Sequence, residues 1–168
     1  LRLVFTIWLC VLAMAGARDG FDRWIEATEL PPLTVDTSVE IRDRNGILLR
    51  AFPVEQGLFR LGSRVDQVDP QFIEMLVTYE DKRFYSHKGV DLLAATRAIG
   101  QALWHSEIIS GGSTLTMQTA RLLENSGTGD ARGKLRQMRV AWALERRLSK
   151  DEILSIYLTN APYGGNIE

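Results

Sequence analysis

Leu3 to Ala17 (L-V-F-T-I-W-L-C-V-L-A-M-A-G-A), fifteen residues without a charge behind a single Arg2, restrict this chain more than any other stretch. A run with no polar periodic position has no face to show water, which disfavours a buried core helix and points to a membrane segment. Crossing a bilayer takes about 20 apolar residues, so the run is short as it stands. Because the chain begins with leucine rather than methionine, upstream residues are expected to lengthen it. Ala13-Met14-Ala15 resembles a small-residue cleavage site, which would make this a removed signal peptide. The competing and preferred reading is an uncleaved anchor over residues 1–17 with its basic flank in the cytoplasm. Either reading exports everything after Arg18. Cys10 lies inside the run, and Ile7-Trp8-Leu9 before it are not the small residues of a lipoprotein site, so it reads as a lipid-facing or spectator thiol.

The remainder fits one domain, and 20 Lys+Arg against 21 Asp+Glu leave a net charge of −1, without the basic excess of a nucleic-acid binder. A single cysteine permits no internal disulfide, and with only two histidines (His87 and His105) it argues against a zinc cluster. Residues 18–37, polar and carrying Pro31-Pro32, read as a linker leaving the membrane. Val39 to Leu49 alternates around Asn45-Gly46, which predicts a β-hairpin with a tight two-residue turn, and Leu58–Leu61 suggests a third short strand. Helical signals follow. Asp69-Pro70 caps a helix carrying Phe72, Ile73, Leu76 and Val77, and Asp91 caps one carrying Leu92, Ala95, Ile99 and Leu103. Ser113 caps a third running to about Leu123, and the glycine-bearing stretch Glu124–Asp130 reads as a mobile loop. A long helix over Arg132–Leu148 comes next, then one opened by a Ser149/Glu152 capping box and stopped by Pro162 and Gly164-Gly165.

Three stretches have residue types suited to chemistry. Glu80-Asp81 closes the first of these helices beside Tyr79 and Phe84, where partial desolvation would raise a carboxyl toward general-base range; a solvated pair beside Lys82 and Arg83 is the plainer alternative. Ser110-Gly111-Gly112-Ser113-Thr114 opens a helix, whose N-terminus favours anions, although a simple cap after a glycine turn explains it equally. The spacing of a nucleotide P-loop is absent. Arg132, Lys134, Arg136, Arg139, Arg146, Arg147 and Lys150 set seven positive charges against Asp130 and Glu145, either a solvated face or a site for a phosphate-rich ligand. Beside a bilayer, a lipid pyrophosphate is a coherent ligand.

Taken together, E-D-K-R-F-Y-S-H-K-G (80–89), G-G-S-T-L-T-M-Q-T-A-R (111–121), G-K-L-R-Q (133–137) and K-D-E-I-L-S-I-Y-L (150–158) resemble the peptidoglycan glycosyltransferases of family 51, the N-terminal catalytic domain of class A penicillin-binding proteins. The Met117-Gln118 pair, Gln137 and the A-P-Y-G-G ending resemble the penicillin-binding protein 1C branch. The resemblance covers residues 38–168 and implies a mainly α, lysozyme-like glycosyltransferase domain with a small N-terminal β element and a membrane segment. It places the domain on the outer, periplasmic face of the cytoplasmic membrane, with its C-terminal part continuing past Glu168. It implies lipid II and a lipid-linked glycan as substrates, other cell-wall synthesis proteins as partners, and no nucleic acid. Glu80 matches the family's general base, and Asp81, Phe84 and His87 its surroundings. Gly112, Ser113, Thr114 and Gln118 match the second motif, and Arg121 stands where lysine is usual. Lys134 matches the third motif, where Gly133 replaces an arginine for which Arg132 or Arg136 would compensate. Gln137 occupies the position of the second essential glutamate; glutamine cannot carry that charge or hold a divalent cation as well, so any Mg²⁺ or Mn²⁺ dependence is expected to be weakened. Glu145, about 12 Å further along the helix, is too far to substitute. Two other functions fit parts of the pattern: a lysozyme-like lytic enzyme, and a catalytically weak lipid II-binding or scaffold protein. No Ser-x-x-Lys motif occurs, so these residues are not expected to bind penicillin.

Overall fold

The computed structural model describes residues 1–55, 57–105, 112–124 and 131–164. Ser110, Gly111, the predicted loop from Asn125 to Asp130, Gly165 and the side chains of Ile99 and Leu103 lie outside the described residues.

The apolar run forms the first half of α1 (Arg2–Glu26), whose side chains from Leu3 to Met14 are exposed. The helix is 25 residues long and its most apolar 18-residue stretch has a mean hydropathy of 1.5, long and apolar enough to cross a membrane. Past the apolar run, Arg18 to Glu26 continue the same helix. Arg18 and Asp22 pair one turn apart at 3.8 Å, and Ile25 is buried against the rest of the chain. The helix ends at Glu26, inside the stretch expected as a linker.

The expected hairpin is present as β1 (Val39–Arg42) antiparallel to β2 (Leu48–Phe52), with Val39 opposite Phe52 and an irregularity between Ile41 and Arg42. Its connection is not a two-residue turn. The Asp43 carboxylate accepts from the backbone N–H of both Asn45 and Ile47 at 2.8 Å, so a side chain organises a longer loop, with Gly46 at φ +83°. The third strand does not form; Phe59 contributes a single bridge residue, and Arg60 instead bonds Ser38, its carbonyl accepting from the Ser38 N–H at 2.7 Å.

Helices dominate the rest: α2 (Pro70–Glu80), α3 (Leu92–His105), α4 (Leu115–Glu124), α5 (Ala131–Arg147) and α6 (Lys150–Asn160). The caps read from sequence hold at Asp69, which accepts from the Gln71 N–H at 2.8 Å, at Asp91, which accepts from the Ala94 N–H at 2.8 Å, and in the Ser149/Glu152 box. For α4 the cap is Thr114 rather than Ser113: its hydroxyl accepts from the Met117 N–H at 3.1 Å and donates to the Gly89 carbonyl. α4 packs against both α5 and α6. Leu115, Ala120, Val140, Leu144, Ile153, Leu154, Leu158 and the aromatic ring of Phe84 form the main core between them. A second, smaller core of Val90, Met117 and Ala141 sits under Met138 and Trp142.

Candidate active site

In the segment from Glu80 to Asp91 the side chains of Glu80, Asp81, Arg83, Ser86, His87 and Asp91 are all hydrogen-bonded. Asp81, 8% exposed, ends α2; one oxygen accepts from the Leu115 N–H at 2.9 Å, and the carboxylate also meets the His87 Nε2 at 2.9 Å. The anion expected at the start of α4 is thus the protein's own. The positive end of the helix and an otherwise unsatisfied N–H hold Asp81, and Asp81 holds the histidine. His87 Nδ1 is buried without a hydrogen-bond partner among the described residues. Gly89 lies against α5 at φ +92°, where a Cβ would meet the Ala141 carbonyl oxygen at 2.7 Å, so only glycine lets the segment rest there. Arg83 pairs with Asp91; the hydrogen bonds from that guanidinium are the main cause holding the Asp91 carboxyl below its ordinary range.

With this frame fixed, Glu80 lies on the wall of a cleft of about 450 Å³, together with Asp81, Arg97, Gly112, Ser113 and Thr114. Gln118 Nε2 donates to Glu80 Oε2 at 2.9 Å. The carboxylate is thereby oriented from α4, while Oε1 has no hydrogen-bond partner among the described residues. Lys134, on the first turn of α5, reaches Ser113 Oγ at the cleft wall. Burial, and secondarily the charge of Arg121, lowers the Lys134 pKa. One turn on, Gln137 is 5% exposed on the same face of α5.

The structure therefore brings Glu80, Asp81, Gly112, Ser113 and Thr114 to one cleft, with Gln118 and Lys134 bonded to its wall. Phe84 lies beneath, fully buried, with Lys150 Nζ 4.4 Å from its ring centroid. Arg136 is not brought there: it pairs at 2.7 Å with Glu124 at the end of α4, and Arg132 is exposed. Most of the predicted basic cluster is engaged elsewhere. Lys150 pairs with Glu145 at 2.6 Å, which also accepts from the Thr116 hydroxyl at 2.7 Å. Glu145 thus ties α4, α5 and α6 together, a structural commitment that agrees with rejecting it as a substitute glutamate. Arg139, Arg146 and Arg147 hold the end of α1.

Sequence reasoning places Tyr157 within the fourth motif without giving it a role of its own. Burial first, then the Glu80 charge, pushes its phenol up to about 12, and Tyr163 and Arg121 also act on it. Its place inside the fourth motif was the available signal. Lys82, Arg83 and Arg97, which also line the cleft, had no such signal beyond charge.

This arrangement of one oriented carboxylate, a helix start and a half-buried lysine on a helical core fits a glycosyltransferase-type domain, and the chain belongs to the transglycosylase family, whose pattern matches residues 49–168. The expected likeness to the class A penicillin-binding protein glycosyltransferase domain holds. The chain is 40% identical over 139 residues to penicillin-binding protein 1C of Escherichia coli K12, covering 83% of this chain and 18% of that protein. It is 31% identical over 160 residues to penicillin-binding protein 1A of the same strain (92% and 18%). A monofunctional glycosyltransferase of Staphylococcus haemolyticus is 39% identical over 101 residues (60% and 36%). The chain thus spans under a fifth of the length of the two penicillin-binding proteins.

Proposed function

We propose that this chain is a peptidoglycan glycosyltransferase domain that polymerises lipid II into β-1,4-linked glycan on the outer face of the cytoplasmic membrane. The observation that carries the reading is Glu80, held through one oxygen by Gln118 at 2.9 Å on the wall of the cleft, with Lys134 at Ser113 on that wall. Glu80 accepts the proton of the acceptor sugar's 4-hydroxyl as that oxygen forms its bond to the donor anomeric carbon. The bond from that carbon to the pyrophosphate oxygen breaks, undecaprenyl pyrophosphate leaves with the electron pair, and the α-linked donor becomes a β-linkage with inversion. Positioned general-base transfer contributes roughly 10²–10⁴-fold. No protonating acid is required for the leaving group, because Lys134 and Arg121 supply positive charge; this separates the reaction from the two-carboxylate chemistry of glycoside hydrolysis.

The family resemblance implies Mg²⁺ or Mn²⁺, and the donor set here does not fit one well. Hard divalent cations take carboxylate oxygens. Gln137 is neutral, Glu80 is shared with Gln118, and no cluster of three or more acidic, histidine or cysteine ligands occurs among the described residues.

Incubating the protein with labelled lipid II and, separately, with isolated sacculi tests the reading. Polymer from lipid II without release of sacculus fragments is expected, and Glu80→Gln should lower polymerisation by about 10²-fold or more. Cutting of sacculi would favour a lytic enzyme, lipid II binding without turnover a scaffold, and undiminished turnover by Glu80→Gln would remove Glu80 from the mechanism.

A further inference from the structure

The cations of the second half of α5 meet the end of the membrane helix. Arg139 donates from Nη2 to the Trp24 carbonyl at 2.8 Å and from Nε to the Thr28 hydroxyl at 2.8 Å, and its guanidinium carbon lies 4.7 Å from the Trp24 ring centroid. Arg147 donates to the carbonyls of Thr28 at 3.1 Å and Glu26 at 3.2 Å, and Arg146 pairs with Asp22. Phe21 packs edge-on against Trp142 of α5 with centroids 5.0 Å apart, while Ile25 and Thr28 are 1% and 2% exposed. The last carbonyls of a helix have no intrahelical partner and carry its negative dipole end, so guanidinium donors there satisfy both needs. Charged residues begin at Arg18, so the hydrocarbon layer is left by Ala17, and the contact at Trp24 lies about 10 Å further along the helix.

We propose that Arg139 and Arg147 are positioning residues that lock the exit end of the membrane helix onto α5, and so set the height and tilt of the cleft over the bilayer. α5 also carries Lys134 and Gln137, about 8 Å and about 3 Å of helix rise from Arg139. An anchor held at one angle to α5 therefore holds the cleft's basic wall at one distance from the lipid surface. The consequence rests on the function proposed above: a substrate fixed in the bilayer by its polyprenyl chain must present its sugar at that height, whereas a freely diffusing analogue need not.

The test uses the full chain as wild type, Arg139→Lys and the double variant Arg139→Ala/Arg147→Ala. Each is placed in phosphatidylethanolamine/phosphatidylglycerol vesicles containing lipid II, and in detergent with a short-chain, water-dispersible analogue. A misplacement of about 1 Å remote from the chemistry costs up to about 10²-fold, so the double variant should lose about 10-fold or more in kcat/KM in vesicles yet stay within about twofold on the analogue. Arg139→Lys, which keeps the charge but not the forked geometry, should fall between them. Amide exchange over residues 20–28 in vesicles should accelerate in the double variant. An equal loss on both substrates, or no loss on either, overturns the proposal. If the wild type turns over neither substrate, the proposed function fails instead, and exchange alone decides the lock: unchanged protection of residues 20–28 refutes it, faster exchange upholds it.

Discussion

The two halves of α5 carry the same kind of side chain and use it differently. In the first half, Lys134 turns inward to Ser113 and the cleft, and Gln137 is buried one turn further on. In the second half, Arg139, Arg146 and Arg147 turn to carbonyls and a carboxylate of α1. Six of the seven cations thus divide between the cleft wall, the joint with α1 and packing pairs according to which element lies opposite, and Arg132 stays exposed. A lysine loses solvation on entering the wall, while guanidinium groups satisfy several carbonyls at a surface joint without leaving water entirely.

Gly89 offers the strongest way to break the first half away from the rest. Gly89→Ala forces a Cβ onto the Ala141 backbone in a left-handed conformation, and should destabilise the domain by about 2–4 kcal/mol; a thermal midpoint unchanged from wild type would show that the segment can shift freely off α5. Lys134→Ala should come next, lowering kcat/KM for lipid II about 10-fold or more, against a small effect of Lys134→Arg. Because burial lowers the Lys134 pKa, the arginine variant should also hold its activity further up the alkaline limb of the pH–rate profile, where lysine has lost its proton. Equal loss in both variants would mean that shape rather than charge is needed there.

Gln137→Glu should keep activity within about threefold or raise it, and should make turnover more sensitive to chelators than that of the wild type. Complete loss would mark the amide as an adapted part of the wall. Tyr157→Phe should have little effect near neutrality. Burial, and then the Glu80 charge, push the folded phenol up to about 12 from its ordinary 10.0, so the folded state holds its proton more tightly. Stability is then undiminished below about pH 10 and falls as pH rises toward 12, a component that denaturation midpoints of Tyr157→Phe should lack. The smallest change is Arg146→Ala in the second half, an exposed ion pair worth at most about 1 kcal/mol in a thermal melt.

Local chemistry made much of the fold legible. Asp69-Pro70, Asp91 and the Ser149/Glu152 box are caps whose donors and acceptors lie within four residues, and each forms as read. The β-hairpin was also legible, but its turn was misread because the Asp43 carboxylate, not Asn45-Gly46 alone, sets the loop. Glu80 and Lys134 could be named because they sit in contiguous motifs. The end of α1 was misjudged because Arg18–Glu26 looks like a polar linker until α5 supplies a surface for Phe21 and Ile25.

By itself, the sequence determined the apolar run and the helix starts, since each depends on residues close along the chain, and its contiguous motifs singled out Glu80 as the carboxylate that matches the family's base. Only the tertiary structure decided that Thr114 rather than Ser113 caps α4, that Asp81 fills the anion slot at its start, and that Arg139 and Arg147 serve the anchor instead of the ligand. Those outcomes turn on partners between 25 and 121 residues away, and a charge has no role until burial and geometry choose which partner it meets.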